Sequence, residues 1–362
     1  MSEVGLHKLE VDTPFLWVDL DVLEANIALM VEYTRAAGVN WRPHFKGNKT
    51  PAIAHMLLRA GAMGLTCAKV GEAEVLAAAG VQDMLIANQV VGAQKYTRLA
   101  NLCRTADVKV AVDSTATLAG LNAAAEKKGV RIGVVVELNT GMERAGVQPG
   151  APALELAKAV HGYPGLQLRG IMTWEGHTIG ITPEADKRAA IAHSIGQLRD
   201  TVDLVRQAGL PAEIVSCGGS GTFAVTAHEA GITEIQAGGV IFNDIFYARV
   251  NVPTEFALFV HTVVTSRPAP DRIIVDGGFK TMPRWSNPPR PIGMDGVADV
   301  VCSAEHGIIT LDHADDTIAV GDRFDFIPGY GDHTVFLHDQ IYALRNDVVE
   351  AVWAVEARGK LR

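Results

Sequence analysis

Cysteine is scarce in this sequence, and its few cysteines are far apart. Cys67, Cys103, Cys217 and Cys302 are the four present, and none forms a Cys-x-x-Cys pair. This spacing argues against both a disulfide scaffold and a cysteine-based zinc site. A reduced, cytoplasmic setting is therefore expected.

Long apolar runs and basic clusters are also missing. No apolar stretch reaches the roughly 20 residues needed to span a bilayer. The N-terminal stretch MSEVGLHKLEVDTP is polar and has no signal-peptide core. The net charge is −9, and nucleic-acid-binding domains are usually basic on one face. We therefore expect neither a membrane nor a nucleic acid as partner.

The chain does contain a repeated alternation of β-rich and helix-periodic segments. Eight such units follow one another over roughly 210 residues, which predicts a (β/α)8 barrel, with an open doubly wound sheet as the alternative. The predicted barrel strands cover residues 39–45, 64–69, 84–88, 108–113, 132–138, 166–173, 212–217 and 233–237.

The last third of the sequence has a different texture. Helical periodicity disappears, and short β-rich runs are separated by Gly, Asp and Pro turns, which predicts an all-β domain. The early run PFLWVDLD (14–21) is expected to cross over and join that domain. The predicted organisation is an N-terminal strand segment (1–22), a barrel (23–252) and a C-terminal β domain (253–362).

The stretch NWRPHFKGNK places three basic residues on alternate positions, Arg42, His44 and Lys46. In a strand, alternate residues share one face, so these groups would point at a common anion. The C-terminal ends of barrel strands carry catalytic groups. Lys46 is therefore a candidate Schiff-base amine. The alternative is a surface loop whose basic groups face water.

Two glycine-rich loops follow the seventh and eighth predicted strands. They read SCGGSGTF (216–223) and QAGGVIFND (236–244). Loops at these strands form the usual phosphate site of such barrels, because glycines let backbone N–H groups approach closely. Ser220 and Thr222 would add hydroxyl donors. The alternative is that both loops are ordinary βα turns.

The loops after strands five and six carry further charged groups. ELNTGMERAGV places Glu137 and Arg144 at the expected barrel mouth, and MTWEGHT places His177 there. Arg144 and Glu137 could instead form a surface salt bridge, and His177 could be structural.

The β domain holds a polar block, PGYGDHTVFLHD (328–339), and an earlier CSAEHG (302–307). These could bind a divalent metal or could be hydrogen-bonded turns. In an extended segment Tyr330, Asp332 and Thr334 would share one face, and His333 would point the other way. The candidate ligands are His306, Asp332, His333, His338 and Asp339.

Taken together, these motifs resemble the fold-type III pyridoxal phosphate enzymes. The similarity is greatest to the group of D-threonine aldolase, 3-hydroxy-D-aspartate aldolase and D-serine dehydratase. It extends over nearly the whole chain. The motifs that carry it are TPFLWVDLDVLEANI, RPHFKGNK, KVGEAEVL, GMERAGV, SCGGSGT, SAEHG and PGYGDHTVFLHD…EARGK.

The resemblance implies a role for particular residues. Lys46 would hold pyridoxal 5'-phosphate as a Schiff base, Arg144 would face its phenolic oxygen, and His44 would belong to the catalytic group. The anion expected beside the basic segment is then this cofactor. The phosphate-cradling positions would be Ser220, Gly221, Thr222, Gly238, Gly239 and Val240.

One position departs from the family pattern. Metal-dependent members carry a His-x-Asp or His-x-Cys pair in the C-terminal block, and here the pair reads Tyr330-Gly331-Asp332. Tyrosine is a poor ligand for Mn, Mg or Zn at neutral pH because its pKa lies near 10. Either the enzyme runs without metal, or His306 or His333 completes a site with Asp332.

The resemblance implies a lyase that cleaves a D-β-hydroxy-α-amino acid to glycine and an aldehyde. His177 is the candidate base for the β-hydroxyl proton, assisted by Asp332, and a homodimer would close the barrel mouth. Dehydration or racemisation of similar substrates, and cofactor binding without turnover in a pyridoxal phosphate homeostasis protein, are the alternatives. The β-substituent of the substrate is left open.

Overall fold

A computed structural model describes residues 3–285 and 287–362. Contacts between Cα atoms divide them into two compact units. The β unit contains the segments up to Leu29, Gly47–Ala52 and Gly239–Gly359, and the barrel unit contains Met30–Lys46, Ile53–Gly238 and Lys360–Arg362. In the described ranges, no helix is both long enough and apolar enough to cross a membrane.

The strands are numbered along the chain. They are β1 (Phe15–Asp19), β2 (Asn40–Trp41), β3 (Leu65–Cys67), β4 (Asp83–Gln89), β5 (Asp107–Val112), β6 (Ile132–Leu138), β7 (Leu166–Thr173), β8 (Ile214–Cys217), β9 (Glu234–Ile235), β10 (Leu258–Ala269), β11 (Arg272–Val275), β12 (Arg290–Pro291), β13 (Val297–Cys302), β14 (Gly307–Leu311), β15 (Arg323–Ile327), β16 (Gln340–Arg345) and β17 (Val348–Ala354).

The α-helices are numbered in the same way. They are α1 (Leu20–Ala37), α2 (Pro51–Ala60), α3 (Val70–Ala78), α4 (Ala93–Leu102), α5 (Leu118–Lys128), α6 (Ala151–His161), α7 (Glu184–Gln207), α8 (Phe223–Thr226), α9 (Ile245–Arg249) and α10 (Gly331–Thr334).

The barrel unit is a curled sheet of parallel strands alternating with helices. Its order is β2-β9-β8-β7-β6-β5-β4-β3, and every pairing is parallel. The two outer strands are joined as well, because Met63 N donates to Trp41 O at 2.9 Å and Thr66 N donates to Pro43 O at 3.0 Å. The predicted fold class, a parallel barrel followed by an all-β region, is confirmed.

The segment that contains Arg42, His44 and Lys46 differs from its prediction. Strand β2 ends at Trp41, two residues before Pro43, which cannot donate to a ladder. Phe45–Gly47 then forms a 3-10 turn. The predicted common face of three cations is therefore wrong, because the chain leaves the extended conformation between the first and third of them.

Arg42 instead belongs to a buried ion-pair network at the N-terminal ends of the strands. Its side chain is 1% exposed, its Nε lies 3.0 Å from Glu234 Oε1, and its Nη1 pairs with Asp83. Lys109 Nζ also pairs with Asp83, at 2.6 Å. Burial alone would raise the pKa of Asp83, but hydrogen bonds and charges from Arg42 and Lys109 hold it below its ordinary value.

The β unit is built on a second, mostly antiparallel sheet. Its main path is β13-β14-β11-β10-β1-β16-β17, with β15 paired to β10 and β12. Strand β1 pairs antiparallel with β10 and parallel with β16. A cluster of buried apolar side chains stabilises this arrangement, and it includes Phe15, Trp17, Phe259, Ile327 and Leu344.

The polar block before β16 is not a strand. Gly331–Thr334 forms the short helix α10, and Val335–Leu337 continues as a 3-10 turn. The prediction that His333 points away from Tyr330 is wrong, since their ring centroids lie 4.7 Å apart in an edge-on contact. A helical turn brings residues three apart onto one side, whereas an extended segment separates them.

Candidate active site

Lys46 lies on the turn that follows the first barrel strand. Its backbone N–H donates to Nδ1 of His44 at 3.3 Å, and the neighbouring Phe45 is fully buried. The Lys46 residue itself is exposed. The His44 backbone passes so close to Gly238 that a Cβ there would lie 2.3 Å from His44 O. The buried Phe45 and the close approach of the His44 backbone to Gly238 hold Lys46 at the C-terminal edge of the barrel.

The glycine loop after β8 is organised by a carboxylate from the loop after β7. Glu175 is fully buried and accepts hydrogen bonds from Gly218 N at 3.3 Å, Thr222 Oγ1 at 2.7 Å and Thr226 Oγ1 at 2.8 Å. Ser220 lies within this loop and is 5% exposed. Such a loop presents backbone N–H groups at the strand end where a phosphate would bind.

The hydroxyl of Thr222 has a different task from the one predicted for it. It donates to Glu175 and accepts from Gly219 N at 3.1 Å. Its proton is therefore directed at the carboxylate of Glu175. We expect Thr222 to shape the loop and Ser220 and Gly221 to face the phosphate.

The loop after β6 brings Arg144 and Glu137 together. Arg144 Nη2 lies 3.6 Å from Glu137 Oε1, and Gln89 Nε2 donates to Glu137 Oε2 at 2.5 Å. Burial raises the pKa of Glu137, while the hydrogen bond from Gln89 and the charge of Arg144 oppose that shift. The Arg144 side chain remains 54% exposed, so a guanidinium is available at the edge of this loop.

His177 packs against the Arg144 loop. A Cβ on Gly141, whose φ is +124°, would lie 2.7 Å from His177 Nε2. The same nitrogen lies 3.5 Å from Ser194 Oγ, and that hydroxyl donates to Thr140 O at 3.1 Å. The His177 residue as a whole is exposed. A glycine at position 141 is required both by its left-handed backbone and by this contact.

The barrel unit thus contains most of the residues selected from the sequence: His44, Lys46, Arg144, His177, Ser220, Gly221, Thr222 and Gly238. Sequence reasoning missed Glu175 and Gln89. The signal for Glu175 was present, since an acidic residue stands two positions before His177 at a strand end. Its three partners become neighbours only after folding.

The remaining predicted site residues lie in the β unit, and they are Gly239, Val240, His306, Tyr330, Asp332, His333, His338 and Asp339. Tyr330 Oη donates to Asp332 Oδ2 at 3.1 Å. Burial, followed by the charge of Asp332, raises the pKa of Tyr330 far above its ordinary value. Tyr330 is therefore a phenol whose proton points at the carboxylate.

The donor set around Asp332 does not match a divalent metal site. Within residues 3–285 and 287–362, no group of three or more His, Cys, Asp and Glu side chains is arranged to hold a metal ion. A protonated phenol offers a donor where a metal needs a lone pair. Of the other candidate imidazoles, His338 Nε2 donates to Thr281 O at 2.8 Å, and the His333 ring packs edge-on against both Tyr330 and Trp285.

Comparison with known proteins places this architecture in a class and then in a family. The alanine racemase N-terminal domain matches residues 18–244, and a serine dehydratase domain matches residues 257–344. The fold is thus of the alanine racemase type. The chain belongs to the alanine racemase-like family, in the group that carries the serine dehydratase domain, and this family implies pyridoxal phosphate as cofactor.

Several characterised relatives cover most of the chain. The 3-hydroxy-D-aspartate aldolase of Paracoccus denitrificans (strain Pd 1222) is 36% identical over 98% of this chain and 94% of its own. The D-threo-3-hydroxyaspartate dehydratase of Delftia sp. (strain HT23) is 33% identical over 76% and 74%. The crystal structure of D-threonine aldolase from Filomicrobium marinum matches with a TM-score of 0.97 and 35% identity over the full length of both chains. These relatives are lyases.

Proposed function

We propose that this protein is a pyridoxal phosphate-dependent lyase that cleaves D-β-hydroxy-α-amino acids in the manner of a D-threonine aldolase. The observation that carries the proposal is the exposed Lys46 on a fixed turn at the C-terminal edge of the barrel. The same unit presents the glycine loop at residues 217–222. The relatives, which are aldolases and a dehydratase of similar substrates, support the same chemistry.

The residues present fit the cofactor. Lys46 supplies an amine for its aldehyde, the loop of Ser220 and Gly221 supplies phosphate donors, and Arg144 supplies a cation for its phenolic oxygen. Gly238, Gly239 and Val240 are assigned to the phosphate site on sequence grounds. When bound, the cofactor ring takes up the electron pair of the broken Cα–Cβ bond.

His177 is the proposed base. Its Nε2 lies within reach of Ser194 Oγ, which holds the ring beside the Arg144 loop. Since the Ser194 hydroxyl donates to Thr140 O, it would accept from Nε2–H, and the other ring nitrogen, Nδ1, would accept the proton of the substrate β-hydroxyl. A retro-aldol cleavage requires that proton to leave as the carbonyl forms. His44 fixes the lysine turn through its Nδ1 and so acts on the reactive amine.

Proton removal from the substrate is proposed to need no divalent metal, since the Tyr330–Asp332 pair offers a phenolic donor. A homodimer and a cytoplasmic location are proposed as well. The location is supported by the cysteines, all four of which are free thiols. The domain limits 1–22, 23–252 and 253–362 also remain proposals, and the pairing of β1 within the sheet of the β unit supports the first of them.

Dehydration is the second candidate, favoured by the Delftia relative. Aldol cleavage yields glycine and an aldehyde, dehydration yields ammonia and a keto acid, and racemisation yields the enantiomer. Measuring all of these products from a panel of D-β-hydroxy amino acids separates the candidates. A protein that binds the cofactor and forms none of them would be the homeostasis protein.

The cofactor assignment is tested by trapping. Borohydride should fix the cofactor to the peptide that contains Lys46, and Lys46→Ala should abolish both trapping and lyase activity. Lys69→Ala is the matched control because this exposed lysine also follows a barrel strand. Trapping at Lys69, or at the buried Lys49, would contradict the assignment.

A further inference from the structure

Glu175 combines complete burial with an unusual set of partners. It is 0% exposed, and its carboxylate accepts from Gly218 N, Thr222 Oγ1 and Thr226 Oγ1. All three of these donors are neutral groups. A buried carboxylate without a cation is costly, so it is retained where its acceptor capacity is needed.

Two of these donors belong to the glycine loop itself. Gly218 N and the Thr222 hydroxyl lie at the two ends of the sequence Gly-Gly-Ser-Gly-Thr. The carboxylate therefore clamps both ends of the loop. The middle residues, Ser220 and Gly221, lie between the two fixed points.

Residues next to Glu175 in sequence also pack against the glycine loop. A Cβ on Gly219 would lie 2.2 Å from the Trp174 ring, and one on Gly221 would lie 3.1 Å from Ile179. The segment 174–179 thus determines the shape of the loop from one side through packing and hydrogen bonds together. It also carries His177.

We propose that Glu175 is a positioning residue that sets the glycine loop for the phosphate of the cofactor. The inference rests on the proposed function, because it takes the loop as the phosphate site. Glu175 itself touches neither cofactor nor substrate in this account. It acts by orienting the N–H groups and the Ser220 hydroxyl that do.

The charge of Glu175 and its positioning role predict opposite effects of Glu175→Gln on phosphate binding. Glu175→Gln removes a negative charge from beside a phosphate dianion, and the loss of Coulomb repulsion alone would tighten phosphate binding. Glutamine has only one acceptor oxygen and presents an NH₂ group toward one of the former donors. The loop should then lose its shape, and phosphate binding should weaken.

The experiment compares two probes on the full chain after removal of cofactor with hydroxylamine. Pyridoxal 5'-phosphate and pyridoxal are titrated separately by absorbance, and the ratio of their affinities reports on the phosphate site. We expect Glu175→Gln to weaken pyridoxal phosphate binding about tenfold, or ~1.4 kcal/mol, with pyridoxal binding unchanged. Glu184→Gln is the control, since Glu184 is an exposed acid on α7.

The outcomes separate the two proposals. Unchanged or tighter pyridoxal phosphate binding in Glu175→Gln overturns the positioning role, and so does an equal loss for both probes. Failure of the wild-type protein to bind pyridoxal phosphate at all overturns the proposed function instead. If Glu175→Gln does not fold, Thr226→Val removes one of its donors from outside the loop. That variant should weaken pyridoxal phosphate binding about threefold without affecting pyridoxal, and an unchanged ratio there overturns the inference.

Discussion

Replacing Arg42 by methionine should destabilise the barrel unit without affecting cofactor binding. Arg42 is 1% exposed, and its loss removes the cation beside both Glu234 and Asp83. Asp83 still has Lys109 as a partner at 2.6 Å. Glu234, which is 1% exposed, loses its ion pair with Arg42. Breaking a buried pair costs about 3–5 kcal/mol. Since only one of the two carboxylates loses its cation, we expect the free energy of unfolding to fall by about 3 kcal/mol, the lower end of that range.

The measurement is urea unfolding followed by circular dichroism at pH 7. Arg42→Met/Glu234→Gln should recover about 2 kcal/mol, because the buried charge left behind is then neutral. Arg169→Met is the matched control at the outer end of the same network. Arg169 pairs with the half-exposed Asp107, so its loss should cost less than about 1 kcal/mol. If Arg42→Met loses less than about 1 kcal/mol of unfolding free energy and binds the cofactor more weakly, the structural role of Arg42 is refuted and Arg42 belongs to the cofactor site.

Four further outcomes are expected. Gly141→Ala should lower kcat more than tenfold, since a Cβ there meets the His177 ring and φ is +124°, with circular dichroism as the check on folding. The folded pKa of Asp83 lies below its unfolded value near 3.8, so the stability that Asp83 contributes is complete above that pH and is lost as the pH falls through the folded pKa. Asp83→Asn should therefore make the free energy of unfolding less dependent on pH in the acid range. An unchanged pH dependence would contradict the lowered pKa. Exhaustive chelation should leave turnover undiminished, and Tyr330→Phe, which removes the donor to Asp332, should lower it; a loss on chelation that manganese restores would place a metal at Asp332.

The regular elements were readable from local pattern, and their polar contacts were not. Strands β6 and β7 lie at the predicted bounds because IGVVVEL is mostly apolar and LQLRGIMT begins with alternating apolar and polar residues, both between clear turn signals. Strand β2 is only two residues long, and the alternation of basic and apolar residues that follows it did not indicate that Arg42 would pair with Glu234 and Asp83. Those acids are distant in sequence, and only the closed sheet brings them together.

The candidate site shows the same division. Lys46 and the glycine loops were found because each lies just after a strand, where barrel chemistry collects. An acidic residue at the strand end marked the position of Glu175, but its role depends on three donors from another segment, which only the folded chain brings together. The α10 turn was missed because its Gly-Asp-His-Thr sequence has no apolar periodicity, and tertiary contacts override so weak a propensity.

The position of β1 between β10 and β16 has a consequence for the order of folding. Strand β1 precedes the barrel strands in sequence, yet both of its hydrogen-bonding partners lie in the last third of the chain, beginning at Leu258 and Gln340. The barrel segment is synthesised in between and makes its pairings between strands that are mostly close in sequence. Pairings between distant segments form late, because the entropy of closing a long loop must be overcome first. During synthesis β1 is therefore made before either of its partners, and we expect its FLWVD segment to be a site for chaperone contact and aggregation until they emerge.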